Sequence, residues 1–196
     1  VAAATASVAE DTQISASGTL PQPQDTDTHD TVAFTPLSNA DGTYGTLTLN
    51  GATIKGGTST VSVPYGAGIY ARCNNGKSVA LTIELIGTNT ITGNYGIYVD
   101  AQQGETVGTN ASLLIRNSSD NGILEVSGSS HGIYVKSGTG DASLNINDAS
   151  VVAKTTQTYS GGYAGVYVQS SAYATSSPQL SLAVNGGSLT TSASEG

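Results

Sequence analysis

The chain has little of several things that most folds depend on. One cysteine, Cys73, among 196 residues excludes an internal disulfide and leaves the redox compartment open. Two histidines, His29 and His131, stand far apart, so no zinc-ligand set is spelled out. Lys and Arg number six against 14 acids, for a net charge of −8. So few cations cannot neutralise a phosphate backbone or an anionic bilayer, which argues against nucleic acid as a partner. No apolar run reaches membrane-spanning length, so membrane insertion is not expected, and Val1 to Ala9 is too weakly apolar for an intact secretion signal. No segment carries an apolar stripe of 3.6-residue period either. The hydrophobic share of 37% is low for a globular core but suits a narrow solenoid interior.

What the chain does have is repetition. Gly96-Ile97-Tyr98-Val99 returns as Gly68-Ile69-Tyr70-Ala71, Gly132-Ile133-Tyr134-Val135 and Gly165-Val166-Tyr167-Val168, with starts 28, 36 and 33 residues apart. A second motif runs between these copies. Leu47 to Ile54 aligns without a gap to Leu144 to Val151 and to Leu182 to Leu189, and looser copies lie at Leu81 to Ile91 and Leu113 to Val126. Apolar residues alternate within it, as in strands with one buried face, and Gly, Ser, Thr and Asn fill the connections. The fold predicted is all-β: a right-handed parallel β-helix with about 30 to 36 residues and three short strands per coil. A propeller or sandwich fits less well, because its matching motifs would pair antiparallel.

Residues 1 to 41 lack the repeat and hold six acids with no Lys or Arg. They read as an N-terminal cap covering the first coil's edge, with the β-helix repeats occupying 42 to 196. The chain stops where another Gly-Ile-Tyr strand is due, so more coils or domains are expected to follow.

The run Leu47 to Ile54, Gly68 to Ala71, Leu81-Thr-Ile-Glu-Leu-Ile-Gly-Thr-Asn-Thr-Ile91 and Gly96 to Val99 resembles bacterial extracellular β-helix modules described as carbohydrate-binding domain-containing proteins. The likeness spans roughly residues 46 to 191, with Leu81 to Ile91 its most specific part. It implies a secreted or wall-attached module, sugar binding in some members and bound calcium in at least one branch.

Read from the residues, each Gly-Ile-Tyr-Val strand turns its Ile and Val inward and leaves Tyr70, Tyr98, Tyr134 and Tyr167 on the other face in register. Arg72, Asp100, Lys136 and Gln169 follow on that same face with mostly alternating sign. Such a tyrosine strip is a candidate platform for stacking sugar rings, with the charges as hydrogen-bond partners. The competing reading is a ladder that packs on itself, which solenoids commonly build. Tyr65, Tyr95, Tyr159, Tyr163 and Tyr173 read as loop packing, and His131 as a corner residue. Asp25-x-Asp27-x-His29-Asp30 and Asn117 to Gly122 raise structural calcium without the full ligand spacing. Cys73 has no paired histidine to make it a nucleophile. Three functions follow: a non-catalytic module binding polysaccharide along a flat face, a pectinase-like lyase or hydrolase, and an adhesin stalk without ligand. No aligned column pairs two carboxylates, which counts against the enzyme. Glu84, for one, is expected between Asn50 and Arg116.

Overall fold

The computed structural model describes residues 5–8, 12–15, 31–37, 42–56, 66–72, 78–101, 110–118, 121–157, 162–170 and 177–193. Up to residue 44, and at Arg72, the description is of the backbone alone. Among the described residues there is no α-helix. The strands are β1 (Thr5–Val8), β2 (Thr12–Ser15), β3 (Thr31–Leu37), β4 (Gly42–Asn50), β5 (Thr53–Lys55), β6 (Ile69–Arg72), β7 (Ser78–Ile86) and β8 (Thr88–Asp100). They continue as β9 (Ala111–Asn117), β10 (Ile123–Ser137), β11 (Ala142–Asn147), β12 (Ser150–Thr155), β13 (Ala164–Ser170), β14 (Leu180–Asn185) and β15 (Ser188–Ala193).

These strands form a β-solenoid. One sheet runs β3-β4-β7-β9-β11-β14, and the other runs β2-β1-β6-β8-β10-β12-β15 with β5 on β8 and β13 on β10. From β4 onward every pairing is parallel. At the first coil, β3 lies antiparallel along β4, and β1 lies antiparallel along β6, so the outer edges of those two strands are paired.

The core is a set of aligned columns. Leu47, Ile83, Ile115 and Ile146 stack in register, as do Leu81, Leu113 and Leu144, and Ile69, Ile97 and Ile133. Nearly all of these are fully buried. Each such side chain is worth roughly 1.5–3 kcal/mol of burial. Because inward and outward positions alternate, one column fixes the aspect of its neighbours along an unbent stretch of strand.

Two expectations change here. The second and third strands of a coil are separate in some coils, but in β8 and β10 they are one continuous strand. Gly93 and Gly128 carry the bend: a Cβ on Gly128 would lie 1.8 Å from the His131 carbonyl oxygen, and the register shifts between Gly128 and His131. Only a residue without a side chain lets the ladder turn without breaking. The gapless alignment of Leu47 with Leu144 is also displaced by two residues, because Leu47 shares its column with Ile146. Leu144 and Leu182 do pair. A two-residue slip keeps the same face inward, so alternation alone could not detect it.

Candidate functional site

The four tyrosines stack as the repeat requires. Tyr70 pairs in register with Tyr98, Tyr98 with Tyr134, and Tyr134 with Tyr167. Their ring centroids are 5.3, 4.9 and 5.3 Å apart, and the rings of the middle pair are nearly parallel at 6°. Yet the strip is not an open platform. Tyr70, Tyr98 and Tyr134 are 3, 4 and 8% exposed, and with Ala67 they form an apolar cluster separate from the main core. Only Tyr167, at 39%, presents substantial surface.

A second aromatic column explains part of this closure. Tyr95 and His131 are register partners lying three residues before Tyr98 and Tyr134. Their rings stack at 5.5 Å and 4°, while His131 lies 4.9 Å from Tyr134 and meets Tyr163 edge-on. Rings spaced by the coil repeat satisfy one another's faces, each pair adding ~0.5–1.5 kcal/mol beyond area. A sugar would have to displace those contacts.

Two of the polar residues beside the column, Asp100 and Gln169, are drawn into it. Arg72, Asp100, Lys136 and Gln169 align in register. Asp100 is buried, Lys136 is half-buried, and Arg72's side chain lies outside the described residues. The Tyr70 hydroxyl donates to Asp100 Oδ2 at 3.5 Å, and that of Tyr134 donates to Gln169 Oε1 at 2.6 Å. Burial above all, and then the Asp100 charge, raise the Tyr98 hydroxyl pKa far above its usual value. Burial lowers that of His131, whose Nδ1 meets Ser130 Oγ at 3.0 Å and whose Nε2 has no hydrogen-bond partner among the described residues.

Other sequence candidates fall elsewhere. Cys73, the Asp25–Asp30 cluster, Tyr65, Tyr159 and Tyr173 lie outside the described residues. So do Ser119 and Asp120 of the Asn117–Gly122 loop. No group of three His, Cys, Asp or Glu side chains is placed to hold a metal among the described residues. Glu84 pairs with Thr48 and Arg116 in register, not with Asn50, a second result of the two-residue slip. Its Oε1 receives the Arg116 guanidinium and its Oε2 the Thr48 hydroxyl.

Two features went unread in the sequence. Asn89 is fully buried in the column that holds Leu124 and Val151 in the next coils. Its Oδ1 accepts from Ala52 N at 2.8 Å, and its Nδ2 reaches the carbonyls of Ile86, Gly87 and Ile123. One amide thus ties three coils. The second feature is a trough of about 290 Å³ lined by Ser78, Ala80, Asn110, Ser112, Asp141 and Ser143, together with Val79 and Ala111. The signal for it was present: Ser78, Asn110, Asp141 and Gln179 each stand three residues before a column leucine. The chain matches no family model, no curated protein and no solved structure.

Proposed function

We propose that this chain is a non-catalytic, secreted or cell-surface bacterial module that binds polysaccharide along one face of its solenoid. The observation that carries this reading is the chemistry of the outward rows of the first sheet. Thr46, Thr48, Thr82, Ser112, Ser143 and Asn145 are typical of them, and all are at least partly exposed. Within the strands themselves, from β4 to β14, the charged side chains described in those rows are Glu84 and Arg116, which neutralise each other, and Asp141 stands just ahead of β11. An array of hydroxyls and amides fixed on a sheet offers donors and acceptors in the mixture that sugar hydroxyls need, held without the entropy cost of ordering a loop. Glycoside hydrolysis needs two carboxylates about 5–10 Å apart. Glu84 has no second carboxylate beside it in the rows, and both its oxygens are engaged.

A second reading, a stalk without ligand, draws support from the tyrosine column, whose rings are consumed by one another. The deciding experiment titrates the chain with soluble polysaccharides, with and without calcium, following tyrosine fluorescence and product release together. Saturable binding without cleavage is expected. Released reducing or unsaturated ends would make the protein an enzyme, and no saturable binding at all would leave the stalk.

A further inference from the structure

The geometry points to the trough beside β7, β9 and β11 as the seat of a neutral, linear polysaccharide lying along the solenoid axis. The inference rests on the polysaccharide-binding reading and adds the site and the sugar class. The trough is built from aligned rows. Its floor is Ala80, Ser112 and Ser143, which are register partners and turn outward. One wall is Ser78, Asn110 and Asp141, each at the entrance to its strand. The next outward row, Thr82, Leu114 and Asn145, flanks the other side.

The polar wall is fixed in place before any ligand arrives. Asn110 N donates to Ser78 Oγ at 3.1 Å, Asp141 N to Asn110 Oδ1 at 2.8 Å, and Gln179 N to Asp141 Oδ1 at 2.8 Å. Each side chain therefore clamps the backbone of the following coil, and its rotamer is locked by that bond. The clamp uses only one end of each group. Asn110 Nδ2 and Asp141 Oδ2 make no hydrogen bond among the described residues, and both side chains are exposed. The result is a donor and an acceptor one coil apart, above a floor of small residues, with the half-buried Leu114 offering an apolar patch to a sugar's C–H face. Coils repeat at ~4.8 Å, close to the length of one sugar unit in an extended chain, so successive units meet successive coils.

Charge sets the class. The trough contains a carboxylate, Asp141, and no cation. The neighbouring guanidinium, Arg116, is already paired with Glu84. A uronate chain would bring like charge against Asp141, within a protein of net charge −8. Neutral chains meet no such penalty.

The test measures affinity of the whole chain for glucomannan, xyloglucan, mixed-linkage glucan, galactomannan and polygalacturonate. The variants are Ser112→Trp and Ser143→Trp, which fill the floor from the solvent side, and Asp141→Asn, which keeps the Oδ1 acceptor for Gln179. Glu125→Trp, on the outer face of the other sheet, is the control. At least one neutral glycan should saturate the parent and bind either tryptophan variant at least tenfold more weakly, with Glu125→Trp unchanged. Asp141→Asn should narrow the gap between polygalacturonate and the neutral glycans, a readout that a folding defect would not produce. Undiminished binding by tryptophan variants that melt like the parent would overturn the trough while leaving polysaccharide binding standing. Preference of the parent for polygalacturonate would overturn the sugar class. No saturable binding by the parent would overturn both inferences.

Discussion

Replacing Asn89 with Ala asks whether a buried amide can hold a solenoid's coils together. Ala52 N, 1% exposed as a residue, has Asn89 Oδ1 as its acceptor at 2.8 Å. Removing that oxygen strands a buried donor, which costs ~1–3 kcal/mol. The three Nδ2 contacts, at 3.2, 3.2 and 3.4 Å, lie at the long end of hydrogen-bond geometry. Together they count as about one ordinary bond, ~1 kcal/mol. The expected loss is therefore about 3 kcal/mol, or a melting point lowered by roughly 6–12 °C for a domain of this size. Asn89→Leu separates bonding from shape, because it copies the Leu124 of the next coil. Leucine recovers ~1.5–3 kcal/mol of apolar burial but still strands Ala52. Equilibrium unfolding in urea gives the stabilities, and hydrogen exchange at the Ala52 amide gives the cause. Both variants should lose protection there, and only Asn89→Ala should be strongly destabilised. Unchanged Ala52 protection in both, or a cost for Asn89→Ala below about 1 kcal/mol, would refute the reasoning.

Further outcomes follow from the same geometry. His131 sits below its ordinary pKa of 6.5 because it is buried, so the unfolded chain takes up its proton first. Stability from this residue is complete above that value and is lost as pH falls through it towards the lower folded-state pKa. Melting points at pH 7 and pH 5 should drop more for the parent than for His131→Phe, which keeps a stacked ring; equal drops would contradict this. Tyr98 should stay un-ionised until the chain unfolds in alkali, so its contribution to the absorbance titration should appear with unfolding and vanish in Tyr98→Phe. Gly128→Ala sets a Cβ 1.8 Å from a backbone oxygen, whereas Gly87→Ala meets nothing within 4 Å and bears only its φ of +65°. The first should abolish soluble folded protein and the second should cost ~1–2 kcal/mol; the reverse order would refute the bend assigned to Gly128. Leu144 and Leu182 are register partners, but one is fully buried and the other 50% exposed. Leu144→Ala should cost ~2–5 kcal/mol and Leu182→Ala less than half as much, measured by urea unfolding.

Much of this was legible in the residues. Alternation put Leu81, Ile83 and Leu85 on one face and Thr82 and Glu84 on the other, and the burial pattern of β7 follows it residue by residue. The Gly-Ile-Tyr copies placed four tyrosines in one column, and they stack. The register of the first coil was less legible, since Leu47 fits opposite either Leu144 or Ile146 with the same face inward. Asn89 escaped notice because its row reads as apolar in neighbouring coils, and its partners lie 37 and 34 residues away in sequence.

That the chain coils, with what period, and which side of each strand faces in can all be read from the residues alone. Those properties are local, set by a two-residue alternation and a recurring motif. How accessible each outward face is emerges only once the coils are packed together. Tyr70, Tyr98 and Tyr134 point away from the main core as their spacing requires, yet Tyr95 and His131, brought alongside by the bend in β8 and β10, help close them into a second core. The trough arises likewise from Ser78, Asn110 and Asp141, some thirty residues apart, clamping one another's coils. Exposure and concavity depend on what lies beside a residue in space, and a one-dimensional pattern carries that only where the repeat is exact.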